Sequence, residues 1–366
     1  MKVAIVHDWL TNMGGAEIFV IYLKQMFPDA PIYTTVYNPN NLIDELKNID
    51  VRTSFLQKKR KARKNHQKFF PYMPAAFESF DLNEYDLVIS SSSSCAHGVI
   101  TNPKTLHLCY CHTPMRYGWE FYYEYTKKMR NIKKKFIRYF MNYMRIWDRV
   151  SADRVDVFVA NSQNVADRIN KHYRKNALVL RSPVRTNLFV PSEIDGDYYL
   201  VVSRLVAYKR VDLAVEACTR LNKKLVVIGV GDELEKLKKI AGPTVSFLGS
   251  KPQEKVAKYF SESKAFIFCG EEDYGLTPLE SQASGRPVIA YKKGGVLETV
   301  IENKTGLFFE EQTVDSLVDA INRFESLKFD KKAIRKHAEE FDIDKFKNDL
   351  LGIIKKEMEK RNLKYD

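Results

Sequence analysis

The chain has 366 residues, 45% hydrophobic and 29% charged, which suits two domains with cores of their own and excludes a disordered polymer. Cys95, Cys109, Cys111, Cys218 and Cys269 are odd in number and lack zinc-ligand spacing, so they read as buried, reduced thiols of a cytosolic protein. The net charge of +13 calls for an anionic partner or a solvated basic face.

The chain opens with Met1-Lys2 and runs directly into an apolar strand at residues 3–7, which is not the pattern of a signal peptide. Nowhere does an apolar run approach the ~20 residues that a membrane span needs. A turn over residues 8–17 leads into an amphipathic helix through about residue 27. Gly14 and Gly15 at its start let backbone approach a ligand, although such pairs also occur in plain turns. Short strands are expected at 32–37 and around 51. Lys58, Lys59, Arg60, Lys61, Arg63, Lys64 and Lys68 then follow without an acid, and Phe69, Phe70 and Tyr72 come next. A second basic run, Lys127, Lys128, Arg130, Lys133, Lys134, Lys135 and Arg138, lies among aromatics. Cations beside exposed aromatics suit an anionic membrane surface, each adding about 1 kcal/mol. A solvated basic face is the other reading, and a nucleic-acid partner lacks any fold signature to support it.

Residues 86–90 and 106–111 are buried strands. Between them the five hydroxyls at 90–94 fit a ligand-lining loop or a simple linker equally. His112 follows the end of the 106–111 strand, a better position for function than a core face, with a structural histidine as the alternative. A helix is expected at 145–153, a strand at 155–160, a helix capped by Asn161-Ser162, and a strand at 178–180. Residues 182–191 have the prolines and extended character of a linker, and the domain boundary falls between 190 and 198.

The second half restarts the alternation: strands at 199–202, 225–229, 245–248, 265–269, 287–290 and 306–309, with helices between them. That spacing implies a parallel sheet covered by helices. Gly275 opens and Gly285 closes a short helix after the 265–269 strand. Ligands bind at the carboxyl ends of such strands. There the free amides of Gly275, Leu276 and Thr277 suit a phosphate. The neighbouring carboxylates Glu271, Glu272 and Asp273 repel phosphate and suit sugar hydroxyls instead. Glu280 follows Glu272 with seven residues between, so the pair can grip two parts of one ligand. Arg204 and Lys209, after the 199–202 strand, can neutralise a departing diphosphate, the alternative being a solvated turn. The triplets at 195–197 and 342–344 lie off the strand ends, and no metal is expected.

Glu272, Gly275-Leu276, Glu280 and Gly285-Arg-Pro-Val-Ile289, with Arg204-Leu205 and Lys209-Arg210, resemble the signature of retaining family 4 nucleotide-sugar glycosyltransferases. Residues 111–117 resemble a loop of the bacterial GDP-mannose-dependent mannosyltransferases of surface polysaccharide (O-antigen type) synthesis. Asp273-Tyr274 departs from the usual Gly-Phe. The resemblance implies an α/β GT-B fold: two Rossmann-like domains, 1–190 for the acceptor and membrane and 191–341 for the donor, with parallel sheets facing a central cleft. It further implies that a helix at 342–366 packs back on the first domain. By the same resemblance Glu272 contacts the donor sugar, Glu280 the ribose, Arg204 and Lys209 the diphosphate, and His112 the transferred sugar. Gly14, Gly15, Gly229, Gly249, Ser250, Tyr274, Gly275, Leu276 and Thr277 complete the donor site. The implied activity is retaining transfer of a hexose, mannose from GDP-mannose, to a lipid-linked glycan at the inner membrane face, without cofactor or metal. A UDP-sugar donor and a non-catalytic scaffold of the same fold are the alternatives.

Overall fold

The computed structural model describes residues 1–127 and 131–363. The chain forms two compact units, Met1–Arg181 with Lys347–Asp366, and Ser182–Phe346. The helix Ile343–Lys360 therefore begins in the second unit and ends in the first.

The first unit holds a seven-stranded parallel sheet of order β3-β2-β1-β4-β5-β6-β7. Its strands are β1 Val3–His7, β2 Ile32–Thr34, β3 Val51–Thr53, β4 Leu87–Ser92, β5 Leu106–Cys111, β6 Val157–Ala160 and β7 Ala177–Val179. Strands β4 and β5 are buried along their whole length, as the inner strands of a covered parallel sheet should be. β4 continues past residue 90 because Ser91 pairs with His7 on one side and Ser92 with Cys111 on the other. The helix expected at 145–153 is much longer, Asn131–Ser151. Asp148, fully buried on it, accepts from the Trp119 indole at 2.8 Å, and burial pushes its carboxyl up to about 7.

The second unit repeats the design with a six-stranded parallel sheet of order β10-β9-β8-β11-β12-β13. These are β8 Tyr198–Val202, β9 Lys224–Ile228, β10 Val245–Phe247, β11 Ala265–Phe268, β12 Val288–Tyr291 and β13 Gly306–Phe309. Two apolar clusters pack on its faces, one including Leu213, Leu317 and Ile321, the other Phe260, Leu279 and Ala338. Because the strand order runs outward from β8 and β11, the loops after these two strands lie side by side.

The expected linker at 182–191 belongs to the second unit, so the division falls at 181/182 rather than 190/191. Val184 donates its amide to Phe341 at 2.9 Å, Thr186 donates to Asp342, and the Arg335 guanidinium donates to the Thr186 carbonyl at 3.0 Å. All five cysteines are buried and free. Both acidic triplets are engaged in the protein: Asp195 with Arg286 and Lys331, Asp197 with Lys224, and Asp342 with Thr186. Among the described residues no helix is long and apolar enough to cross a membrane, and no group of three or more His, Cys, Asp or Glu could hold a metal ion.

Candidate active site

The strand-end loops of the second unit are locked together by backbone. Ser203 and Leu205 donate to the Ile228 and Val230 carbonyls at 3.0 Å each, and Gly229 donates to Gly249 at 2.9 Å. Gly229 is required here, since its φ is +143° and a Cβ would stand 1.8 Å from the Ser203 carbonyl oxygen. Leu205, Gly229 and Gly249 thereby draw the ends of β8, β9 and β10 into one surface. Gly249, at φ +67°, has open space where a Cβ would be, and Ser250 beside it is exposed.

On the other side, the turn after β12 seats the acidic loop. Gly295 donates to the Glu272 carbonyl at 2.9 Å, and Gly294, at φ +80°, leaves no room for a Cβ, which would lie 2.3 Å from the same oxygen. Glu272 is fixed by that contact and forms an ion pair with Lys209, both side chains being mostly buried. The loop carrying Lys209 packs against Gly270, where a Cβ would stand 3.1 Å from the Lys209 Cα. A shallow depression lies here, its lining including Ser203, Lys209, Phe268 and Gly270. Arg204 is exposed and donates to the Tyr208 hydroxyl at 3.2 Å, so its charge is presented to solvent.

Gly275 caps the helix Leu276–Ala283 at φ +86° without a side-chain cap, which leaves the first-turn amides of Leu276 and Thr277 without that partner. Glu280 sits in the second turn of this helix, and burial pushes its carboxyl up to about 7 against the opposing pull of Arg185. Glu272, Lys209, Gly275, Leu276, Thr277 and Glu280 are thus brought to one end of the sheet, as are Arg204, Gly229, Gly249 and Ser250. The Tyr274 side chain is not part of that surface. It is buried in the core, and its hydroxyl donates to the Ser182 carbonyl at 2.9 Å, so only its backbone can serve a ligand. The tyrosine of the Asp-Tyr variant is a packing feature.

In the first unit His112 follows β5 and its Nε2 lies 2.9 Å from the Ser91 hydroxyl. Its carbonyl accepts from Asn161 at 3.2 Å, and Phe19 packs edge-on to its ring. Burial, with His7 nearby, lowers the imidazole to about 3, so the ring is neutral at physiological pH. Gly14 and Gly15 are exposed at the start of the helix Gly15–Met26, and a Cβ at Gly14 would meet the Glu17 carboxylate at 2.9 Å.

The serine run is neither an open ligand loop nor a linker. Ser90 bonds His107 at 2.9 Å, Ser92 bonds His97 at 3.2 Å, and Ser94 meets the Tyr117 hydroxyl. Asp8, which the sequence reading passed over, organises its end. This carboxylate accepts from the amides of Ser93, Cys95 and Ala96 at 2.6–2.8 Å and from the Ser93 hydroxyl at 3.0 Å. The available signal was an acid immediately after a strand and before a glycine pair.

Two family models match the chain: "Glycosyltransferase Family 4" over residues 13–186 and "Glycosyl transferases group 1" over residues 185–341. Among solved structures the chain resembles sucrose-phosphate synthase of Thermosynechococcus elongatus, at TM-score 0.75 and 17% identity over 97% of this chain and 99% of that one. It also resembles Anabaena HepE in complex with UDP-glucose, at TM-score 0.71 and 15% identity over 97% and 100%. The fold is thus the two-domain GT-B architecture of glycosyltransferases. More particularly, the chain joins a family 4 glycosyltransferase domain to a group 1 glycosyl transferase domain.

Curated relatives are matched over shorter stretches. A Mycobacterium tuberculosis GDP-mannose-dependent alpha-(1-6)-phosphatidylinositol monomannoside mannosyltransferase is 33% identical over 138 residues, 33% of this chain and 36% of its own. Glycogen synthase of Pseudomonas aeruginosa is 31% identical over 137 residues, 35% of this chain and 27% of its own. A Methanocaldococcus jannaschii glycosyltransferase is 24% identical over 189 residues, 50% of this chain and 52% of its own. The chain spans about half or less of the length of these relatives.

The raised carboxyl of Glu280 has a consequence for stability. A carboxyl whose folded value lies above its unfolded value takes up protons on folding, so its ionisation penalises the folded state as pH rises from about 4.5 through about 7. Glu280→Gln removes that penalty. Thermal melts at pH 5 and pH 8 should show the variant stabilised relative to wild type at pH 8 and not at pH 5. An equal shift at both values would mean that Glu280 is not held neutral by burial.

Proposed function

We propose that the chain is a retaining glycosyltransferase that moves a hexose, mannose from GDP-mannose, to a lipid-linked or polysaccharide acceptor. The observation that carries the reading is the Lys209–Glu272 pair, held by Gly270 on one side and Gly294-Gly295 on the other. A cation and a carboxylate fixed at neighbouring strand ends divide a nucleotide sugar between them. Lys209, with Arg204 and the amides at 275–277, answers the diphosphate, and Glu272 orients sugar hydroxyls through charge-assisted hydrogen bonds worth about 1.5–3 kcal/mol each. Glu280 takes the ribose. The mannosyl donor is supported by the mycobacterial relative, and HepE bound to UDP-glucose supports a nucleotide-sugar donor in general. No metal or cofactor is required in this scheme, because the cations and helix amides supply the positive charge.

Transfer with retention and without an enzyme nucleophile passes through an oxocarbenium-like state in which negative charge grows on the departing diphosphate. Stabilising that charge is the main catalytic task, and losing one preorganised donor of this kind costs about 10² to 10³ in rate. Lys209→Ala should therefore lower turnover by about that factor while weakening binding of unreacted donor much less. Glu272→Gln should impair transfer without weakening affinity for the free nucleoside diphosphate, since it also removes the carboxylate that competes for Lys209. Labelled-donor transfer and calorimetry with GDP and UDP read both effects and the base preference. Full activity in Lys209→Ala, or an inverted anomeric configuration in the product, would sink the assignment.

The acceptor side of the proposal rests on the surface of the first unit, which we infer faces anionic lipid from the cytoplasmic side. The helix Arg60–Lys64 exposes its cations and buries only Ala62. Of the aromatics that follow, Tyr72 is exposed, whereas Phe69 and Phe70 are half-buried and pack on the core, Phe70 against Tyr117 and Phe140. The expectation of three exposed rings at 69–72 thus reduces to one. The helix Asn131–Ser151 supplies others: Phe136, Tyr139, Tyr143, Ile146 and Val150 are all more than half exposed, with Lys135 and Arg138 beside them. Lys128 and Arg130 of the second basic run lie outside the described residues, and the side chains of Lys133 and Lys134 are not described. An apolar stripe flanked by cations suits a lipid interface. Attraction of this kind is screened over ~8 Å at physiological salt. Binding to phosphatidylserine vesicles should fall steeply with salt and drop further when Phe136 and Tyr139 become Ser. Equal binding to neutral and anionic vesicles would overturn the membrane assignment.

A further inference from the structure

His7, Ser91 and His112 form a file of polar side chains in the first unit, with Glu17 beside its His7 end. Glu17 Oε1 stands 3.8 Å from His7 Nε2, His7 Nδ1 stands 3.1 Å from the Ser91 hydroxyl and 3.2 Å from the Ser91 carbonyl, and the hydroxyl stands 2.9 Å from His112 Nε2. His7, Glu17 and Ser91 are all buried, Ser91 completely. Water therefore cannot supply missing partners to these three, and each proton on His7 and Ser91 needs an acceptor within the file.

Hydrogen-bond accounting orders these protons. A carbonyl oxygen only accepts, so the contact between His7 Nδ1 and the Ser91 carbonyl requires the hydrogen on Nδ1. At its other end His7 faces the Glu17 carboxylate, where a second proton would make the contact an ion pair. With Nδ1 a donor, His7 cannot receive the Ser91 hydroxyl hydrogen. The remaining acceptor for it is His112 Nε2, and a hydrogen on that nitrogen would instead leave the buried hydroxyl with nothing to donate to. A neutral imidazole carries a single N–H, and which nitrogen holds it is set by the bond the other makes.

We propose that Ser91, oriented by His7, fixes His112 with Nε2 unprotonated and the hydrogen on Nδ1, making His112 a neutral hydrogen-bond donor toward a ligand oxygen. His112 is then suited to a sugar hydroxyl oxygen or a departing phosphate oxygen, and unsuited to taking a proton through Nδ1. Neutral imidazoles can polarise an oxygen in this way. Ser91 and His7 act through His112 and are positioning residues. The meaning of the tautomer for transfer rests on the function proposed above, whereas the proton assignment does not.

The test is nitrogen NMR on protein labelled with ¹⁵N-histidine, the His112 signals being assigned by their loss in His112→Gln. The expected wild-type spectrum at pH 7 has His112 protonated on Nδ1 and His7 protonated on Nδ1. Ser91→Ala keeps the backbone carbonyl that holds His7 but removes the hydroxyl, so His112 should shift toward the Nε2-protonated form while His7 Nδ1 stays protonated. Wild-type His112 protonated on Nε2 overturns the proposal, and so does a His112 tautomer unchanged in Ser91→Ala. A separate transfer assay compares His112→Asn, whose amide nitrogen mimics an Nδ1 donor, with His112→Gln. Greater activity in the Asn variant supports the donor role. Full activity in both, beside the expected spectrum, would leave the proton assignment standing and remove His112 from the proposed reaction.

Discussion

Backbone crowding at the strand ends of the second unit is the constraint on which the site depends. Parallel strands deliver their loops to one end of the sheet, but only glycine allows the loops to touch. At Gly229 the Ser203 carbonyl lies where a side chain would begin, and at Gly294 the Glu272 carbonyl does. Each contact removes freedom from the backbone that carries a charged residue. Lys209 and Glu272 therefore meet because their main chains are fixed, and their attraction did not have to organise the loops. Two mostly buried ions on mobile loops would face a desolvation penalty with no geometry to offset it.

The same arrangement explains why Glu280 differs from Glu272. Glu272 has a lysine in contact, while Glu280 lies in the helix Leu276–Ala283 with Arg185 as the favourable charge, too weak to outweigh burial. Two carboxylates in one motif thus rest in different electrostatic states before any ligand arrives. Separating their environments is a general way for one site to give similar groups different tasks.

Most of the sheet architecture could be read from the chain because parallel, covered strands are plain apolar runs. Val3–His7, Leu106–Cys111 and Gly306–Phe309 stand where the runs are. Other features were illegible for physical reasons. Ser91 and Ser92 extend β4 through sheet partners and histidine contacts that hydropathy does not register. The helix Asn131–Ser151 is legible only at its end, because its first half reads as a basic aromatic run. Residues 182–191 resemble a linker locally, and the bonds that tie them to Phe341 and Asp342 join positions far apart in sequence. In the site, the charged motif was legible as a motif. The burial of Tyr274, the Lys209–Glu272 contact and the part played by Asp8 depend on the folded neighbours of each side chain.

The polar groups of the two units also differ in kind. At the second sheet's end the site is ionic, with Lys209 paired to Glu272 and Arg204 exposed. At the first, His112 is neutral, and the serines behind it spend their hydroxyls on histidines, on Tyr117 and on the Asp8 carboxylate. A buried ion that had to discharge and recharge during a reaction would drag its surroundings with it. A neutral imidazole held by a hydroxyl, as His112 is by Ser91, needs no such reorganisation, and its orientation is set when the chain folds. Asp8 belongs to that preparation: its four accepted hydrogen bonds satisfy its charge internally while holding the turn after β4 in place. Beside the serines, charge is thus compensated within the fold at Asp8 and kept by burial off the His112 ring.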